Sequence, residues 1–277
     1  MIENHVSQLM DTSYRYPEHA TWLNADQISK KCNIQSLGGL ELSQGCKVLH
    51  VPSYLQGLWC ACQDISPHIS WSQKIISNHH DWKDILKDFD AVLFAAGSGL
   101  FHDQILEEAT AQKFPAQLVR GQSIQMSLKP ELSNLSSSYP SEAVLCGKYI
   151  TPLVEDNRML IGATHEFKKD RLDHKHVIEE LRKRSYNLSP ILWDNGEVEE
   201  ITEGYRVQSN RGKHGRLPII GQSPSNLHNN SWIFTGLSSR GLIYHGIFGD
   251  ILSEAILSRN EDYIFSKYPN LSWWKNR

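Results

Sequence analysis

Residues 234–257, Phe-Thr-Gly-Leu-Ser-Ser-Arg-Gly-Leu-Ile-Tyr-His-Gly-Ile-Phe-Gly-Asp-Ile-Leu-Ser-Glu-Ala-Ile-Leu, place glycine, serine and arginine just ahead of a long apolar run. Trp232–Thr235 has the apolar character of a short strand. Leu242, Ile243, Ile247, Ile251, Leu252 and Ile256 recur at helical spacing. Between strand and helix lies the turn Gly236–Gly241. The first N–H groups of a helix have no partner inside it, and the peptide dipoles add partial positive charge there. Such a place receives negative charge, and Arg240 adds a full cation. An electron-rich ligand is expected; a structural turn with a solvated arginine uses the same residues.

Three further segments carry residues suited to a ligand. Ala91-Val-Leu-Phe-Ala-Ala-Gly-Ser-Gly99 reads as a buried strand ending in small residues, of which Ala95, Ala96 and Gly97 permit close approach. Small-residue packing explains them equally. Pro115–Met126 sets Arg120-Gly121-Gln122 inside a period-two pattern, where a β-bulge is the plain alternative. Gly204-Tyr-Arg206 precedes Leu217-Pro-Ile-Ile-Gly221. A guanidinium at Arg206 matches the two oxygens of a carboxylate, and it would equally serve a strand-end salt bridge.

In this order and at these separations, the four segments resemble the FAD-dependent oxidoreductases of the D-amino-acid oxidase superfamily, which include glycine oxidase, sarcosine oxidase and the oxidoreductase half of a tRNA-modifying enzyme. The likeness runs from about Gly38 to Leu257. It implies FAD as cofactor, with Ala96, Gly97, Arg120, Gly121, Gln122, Gly236, Ser238, Ser239, Arg240, Gly241 and Leu242 beside it. It also implies that Arg206 grips a substrate carboxylate and that Tyr149 borders the active site; a buried tyrosine with a satisfied hydroxyl is the alternative for Tyr149. The implied reaction is hydride transfer to flavin from the carbon bearing an amine. The substrate is then a small amine or amino acid, or a carboxymethylamino group on a tRNA base.

Some features depart from that pattern. Val207 follows Arg206 where the family usually has proline, and Gly215-Arg216 stands where an acidic residue usually precedes Leu-Pro. The opening G-x-G-x-x-G unit has no counterpart: residues 1–36 contain no glycine, and Gly97-Ser98-Gly99 is followed by His102 at the third glycine position. The resemblance therefore implies a partial nucleotide-binding domain, as in a shortened chain. The alternative function is a cofactor-free, inactive relative acting at most as a binding protein. An NAD site at Gly97-Ser98-Gly99 would need a helix directly afterwards and an acidic residue at the end of the next strand; Phe114–Met126 offers Arg120 there.

The 277 residues are 40% apolar and 21% charged, ordinary for a globular chain, and a net charge of −3 gives no general pull toward nucleic acid or membrane. No apolar run reaches bilayer length and Met1-Ile-Glu-Asn-His has no signal-peptide core, so a soluble intracellular protein is expected, cytoplasmic or organellar. Five cysteines at 32, 46, 60, 62 and 146 form no disulfide framework. Cys60-Ala-Cys62 and His79-His80 lack the second pair a metal site needs, and no metal is expected. His165 and His245 are read as packing or surface residues, because hydride transfer from a neutral amine needs no strong base.

The expected fold is α/β (α+β): a partial FAD/NAD(P)-binding Rossmann-like domain interleaved with an antiparallel-sheet substrate domain. Its parts are residues 1–46, substrate-domain helices and first strand; 47–112, partial FAD-binding domain; 113–205, antiparallel sheet; 206–263, the rest of the FAD-binding domain; and 264–277, a tail. Helices and polar connectors are expected over 1–36, and a strand from Gly38. Lys47–Pro52 should lead into a helix that Ser53 caps, ending near Gln63. A loop or short helix is expected over 81–88 and a helix over 104–112. Strands should run over Leu118–Leu128, Ala143–Leu153 and Arg158–Thr164, broken by loops at 129–141 and 155–157. Asp173 should cap a helix reaching Tyr186 with Val177, Ile178 and Leu181 inward, followed by extended chain from Gly196 to Val207 and the basic loop Arg211-Gly-Lys-His-Gly-Arg216.

Overall fold

A computed structural model describes residues 2–42, 45–78, 81, 85–101, 114–128, 139–153, 158–167, 171–224 and 230–275. Its internal contacts divide the chain into two units. The first holds residues 1–72, 122–164 and 170–203, and the second holds 73–121, 165–169 and 204–277. The chain passes repeatedly from one to the other, which is the interleaved α/β arrangement expected. The helix over 104–112 and most of the loops at 129–141 and 155–157 lie outside the described residues.

The first unit opens with helix α1 (Ile2–Arg15), strand β1 (Ala20–Asn24), helix α2 (Ala25–Cys32) and strand β2 (Gly38–Leu42). β1 corrects the expectation of helices and connectors alone. It pairs antiparallel with β2, from Ala20↔Leu42 to Asn24↔Gly38. The strand is hidden in the sequence because no turn separates it from α2. Asn24 closes the strand and caps the helix: its Oδ1 accepts from Gln27 N at 2.9 Å, while Gln27 Oε1 accepts from Asn24 N at 2.8 Å.

Helix α3 spans Val51–Ile65, two residues ahead of the expected start, and 47–50 is not a strand. Pro52 occupies the first turn, where its missing N–H costs nothing. Ser53 therefore lies inside the helix, its Oγ 2.7 Å from His50 Nδ1. None of the side chains of α3 is buried.

A five-stranded sheet follows in the order β5-β6-β7-β4-β8, built from β4 (Ala116–Leu128), β5 (Val144–Leu145), β6 (Tyr149–Pro152), β7 (Arg158–Gly162) and β8 (Gly196–Ser209). The run expected as one strand over 143–153 is a hairpin that turns at Cys146-Gly147-Lys148. Gly147 has φ 68°, a left-handed conformation that favours glycine. Alternation sends Ile124, Met126, Ile150, Met159 and Ile161 into a buried core. Helix α4 (His174–Ser185) closes it with Val177 and Leu181, and helix α5 (Pro190–Asn195) adds Leu192 and Trp193. The Trp193 indole N–H is satisfied by Ser185 Oγ at 3.1 Å.

The second unit is built on a three-stranded sheet of β3 (Val92–Phe94), β9 (Ile219–Gln222) and β10 (Ser231–Thr235). β10 is central, parallel to β3 and antiparallel to β9. On one face Ile233 packs with Phe94, Leu100, Phe114, Ile219 and Trp274. On the other, Trp232 and Ile220 meet helix α6 (Gly241–Ser258), helix α7 (Asp262–Lys267) and Leu271 of the 3₁₀ turn Pro269–Trp274. The inward face of α6 differs from the expected one. Tyr244, Phe248, Ile251, Leu252 and Ala255 are buried, whereas Leu242, Ile243 and Ile247 are 47%, 60% and 48% exposed. The helix is apolar nearly all round, so spacing alone could not choose its face, and the two aromatic side chains pack in one buried cluster with Trp232. Among the described residues no helix is long and apolar enough to cross a membrane.

Asp173 caps α4 as expected, its Oδ1 accepting from His176 N at 2.9 Å. The backbone N–H of His176, then its side chain, hold the Asp173 carboxyl below the ordinary carboxylate value. A depressed folded pKa contributes stability that is fully present above the unfolded value and is lost as pH falls through the folded one. Urea unfolding of the protein and of Asp173→Ala should therefore differ at neutral pH, and the difference should shrink below the ordinary carboxylate range.

Candidate functional site

In the second unit the parallel register Ser231↔Val92, Trp232↔Leu93, Ile233↔Phe94 puts the carboxyl ends of β3 and β10 at the same edge of the sheet. One end runs into Ala95-Ala96-Gly97 and the other into Gly236-Leu237-Ser238-Ser239-Arg240. Ligands of open α/β sheets bind outside such carboxyl ends. Ala96 is exposed at this edge, Gly97 begins a 3₁₀ turn with φ 53°, and nothing lies within 4 Å of where a Cβ on Gly97 would stand. Structure thus gathers Ala96, Gly97 and the 236–242 turn.

Within that turn Gly236 and Ser238 take left-handed φ values of 69° and 55°. Ser238 is not glycine, so its conformation costs strain that the surrounding bonds must offset. Its N–H donates to Val207 O at 3.1 Å, and its Oγ to Gly236 O at 3.3 Å. Arg240 N donates to Leu237 O at 3.0 Å. The N–H groups of Ser239, Gly241 and Leu242 make no backbone hydrogen bond among the described residues. These three amides stand at the start of the 18-residue helix α6. Beside them Thr235, 2% exposed, has a hydroxyl with no hydrogen-bond partner among the described residues. A buried hydroxyl left without a partner costs stability, and Thr235 shares this with Tyr139, Ser189 and Ser209 among the described residues.

Tyr244, which sequence reasoning missed, helps hold the turn. Arg240 Nη1 donates to Tyr244 Oη at 2.9 Å, and Tyr244 Oη donates to Arg216 O at 3.2 Å. The signal was present as an Arg-Tyr pair at i and i+4. His245, set aside in the sequence, lies 3.0 Å by Nδ1 from Gly241 O of its own helix.

Arg206 lies on β8 next to Val207, the acceptor of the Ser238 amide. It is half-buried, and its guanidinium makes no hydrogen bond or ion pair among the described residues. Arg120 is the opposite case. It is 8% exposed, its Nε donates to Tyr205 Oη at 2.8 Å, its guanidinium lies 5.1 Å from that ring's centroid, and Nη1 is 3.7 Å from Glu166 Oε2. The Arg120 and Glu166 backbones also exchange hydrogen bonds at 3.0 and 2.9 Å. Gly121 follows it, half-buried on β4.

Gln122 and Tyr149 belong to the first unit. Gln122 is fully buried; its N–H donates to Thr164 Oγ1 at 2.8 Å and its side-chain amide to Leu172 O at 3.1 Å. Tyr149 Oη is 2.8 Å from Ser123 Oγ, over Gly162. Neighbouring Lys148 is 4% exposed, its Nζ donating to Ala163 O and pairing with Glu180 at 3.3 Å. Among the described residues no group of three or more His, Cys, Asp or Glu side chains is placed to hold a metal ion.

Comparison with known proteins names the class. The family model for FAD dependent oxidoreductases matches residues 3–255, and the chain belongs to that family, with FAD as cofactor. None of the curated proteins matches it. The chain is similar in fold to glycine oxidase from Bacillus cereus, with a TM-score of 0.66 at 17% identity over 96% of this chain and 71% of that one. It is also similar to L-alpha-glycerophosphate oxidase from Mycoplasma pneumoniae with FAD bound, at 0.64 and 16%, over 93% and 71%. Iminodiacetate oxidase from Chelativorans gives 0.61 and 17%, over 92% and 68%. The open amides, the orphan Thr235 hydroxyl and the Arg240 charge at the β3/β10 edge fit an electron-rich group such as the flavin.

A Cβ on Gly162 would lie 2.4 Å from both Ser123 Oγ and Tyr149 Oη. Gly162→Ala should therefore part the two hydroxyls and destabilise the protein by about 1–3 kcal/mol, the usual cost of overpacking. Urea denaturation reads the loss, and tyrosine fluorescence reads the altered environment of Tyr149.

Proposed function

We propose that this FAD-dependent oxidoreductase oxidises the C–N bond of an amino acid or related amine, with the flavin against the 236–242 turn and the substrate's carboxylate on Arg206. The observation that carries the reading is the conjunction in one unit of three amides without a backbone acceptor, Arg240, and the Arg206 guanidinium, which has no partner among the described residues. Ala96, Gly97 and Gly121 offer the cofactor close backbone approach. The Arg120–Tyr205–Glu166 cluster supports the strands behind it, and Gln122 contributes through its place on β4. Tyr149 is assigned to the substrate's surroundings. Glycine oxidase and iminodiacetate oxidase, among the similar folds, are named for amines of this kind. A carboxymethylamino group on a tRNA base presents the same amine and carboxylate and falls within the class.

Bound FAD supplies the two-electron acceptor for the hydride that leaves the substrate carbon. The chain's own residues do the rest. The forked donors of Arg206 take two carboxylate oxygens, which fixes the rotation of the carbon between carboxylate and amine. The amides of Ser239, Gly241 and Leu242, backed by the α6 dipole, stabilise negative charge placed before them. No side chain in the assignment has to remove a proton from carbon.

Purified protein incubated with FAD should retain a flavin band near ~450 nm after desalting, a property of the cofactor. Anaerobic addition of glycine, sarcosine or iminodiacetate should bleach it. Protein that stays colourless overturns the reading in favour of the cofactor-free relative. Arg206→Ala should raise KM for the carboxylate-bearing amine by about 10- to 150-fold, the worth of roughly 1.5–3 kcal/mol for hydrogen bonds to a charged group, with the flavin band intact. An unchanged KM would remove Arg206 from the assignment.

A further inference from the structure

Residues 204–249 contain no Asp or Glu, and they contain Arg206, Arg211, Lys213, Arg216 and Arg240. The whole chain carries −3, so setting these five positive charges apart leaves −8 on the rest. The segregation survives folding. None of the five forms an ion pair among the described residues, while Arg158, Arg171 and Arg182 each find a carboxylate. Of the second unit's acidic groups, Glu166 is engaged by Arg120, and Glu261 by Lys275 and the Gln222 N–H.

Four of the charges are gathered by a rigid hairpin. Gly212 and Gly215 exchange backbone hydrogen bonds at 2.8 and 3.0 Å, and Gly215 holds φ 81°. Asn210 N is tied to Pro115 O at 3.0 Å, and Arg216 Nη1 to Ser209 O. The hairpin's exit is bonded through Arg216 O to Tyr244, and Tyr244 to Arg240. Arg211, Lys213 and His214 are exposed at its tip. Ordinary solvated surface interleaves both signs of charge, because like charges held together repel. Here bonds fix the hairpin beside the foot of α6, and an anion is what relieves the repulsion.

We propose that hairpin 210–216 binds a second oxyanion of the substrate. The inference rests on the function proposed above and narrows its substrate class to amines with two anionic groups: a carboxylate for Arg206, and a further carboxylate or phosphoryl group for Arg211 and Lys213. Arg206 and Arg211 are five residues apart, at most roughly 16 Å along extended chain, which bounds the backbone distance a substrate reaching both must span.

The test compares N-alkylglycines of increasing chain length that end in methyl, carboxylate or phosphonate, by anaerobic bleaching of the FAD-loaded protein. At one chain length the anion-terminated compounds should show kcat/KM about fivefold or more above the methyl-terminated one, the scale of exposed charge contacts, and high salt should abolish the difference. Arg211→Ser with Lys213→Ser should remove the preference and leave the methyl-terminated rate unchanged; both residues are exposed and hold no other element. A phosphonate preference identifies a phosphorylated amine, and a carboxylate preference a dicarboxylate. Equal rates for all three termini, or equal losses for all three in the double variant, overturn the proposal. Titration calorimetry of the longest phosphonate with FAD-free protein separates the two claims. Binding that the double variant loses supports the hairpin even where no compound bleaches a flavin, and absence of binding overturns it.

Discussion

Parallel pairing of β3 with β10 is the constraint on which the second unit depends. Two strands so paired end together, and their carboxyl ends must hand the chain to whatever lies beyond the sheet edge. One end spends small residues there, Ala95, Ala96 and Gly97, and the other spends Gly236 and the left-handed Ser238. Moving either strand by one residue would exchange the faces on which Trp232 and Ile233, both essentially inaccessible to solvent, are packed. The two hydrophobic clusters on opposite sides of β10 therefore lock the register, and the register in turn places the turn. Packing positions the chemistry.

The two arginines flanking Tyr205 and Val207 show how burial divides labour between residues of one type. Arg120 and Glu166 are both withdrawn from water, and a buried charge without its partner is strongly destabilising. The Tyr205 hydroxyl and ring add to the contacts of the guanidinium, so Arg120 is committed to joining β4, residue 166 and β8. Arg206, one residue beyond Tyr205, points its charge to the other side of the strand and keeps it uncommitted. A guanidinium meant for a transient anion must lack a resident one, because an internal carboxylate would compete at every encounter. Tolerating an unpaired Arg206 is easier at half exposure than it would be at Arg120's depth.

Much of the scaffold was legible in the sequence where local chemistry and long-range packing agree. Asp173 announces α4, the alternation from Leu118 to Leu128 announces β4, and Gly236 with the serines after it announces the turn before α6. Legibility failed where two elements share a residue or where composition is uniform. Asn24 both ends β1 and caps α2, so no polar run marks the junction. Gly147 inside an apolar run was a hairpin signal that strand-like neighbours concealed. Within α6 apolar residues occur on every face, and packing against Trp232 and Ile220 brings Tyr244 and Phe248 into the core. At the site, residue types suggested Arg120 for a place beside the cofactor and Arg206 for a carboxylate. They could not show that Glu166, distant in sequence, claims the first and leaves the second open.

That difference bears on how charge is organised across the whole second unit. Among the described residues Arg120 lies at 8% exposure with a carboxylate partner, Arg206 is partly buried with none, and Arg211 and Lys213 are exposed with none. Among these four cations commitment falls as exposure rises, while acidic residues are withheld from the entire stretch between Gly204 and Asp250. Clefts and edges lined by one sign of charge concentrate ligands of the other sign before any contact is made. The deep arginine holds strands together, and the half-buried one is the arginine proposed to orient the substrate. The outermost cations act at longer range, where salt screening governs their reach. A stretch free of carboxylates is what allows this gradation, because an Asp or Glu introduced between Gly204 and Arg216 would offer these cations an internal partner.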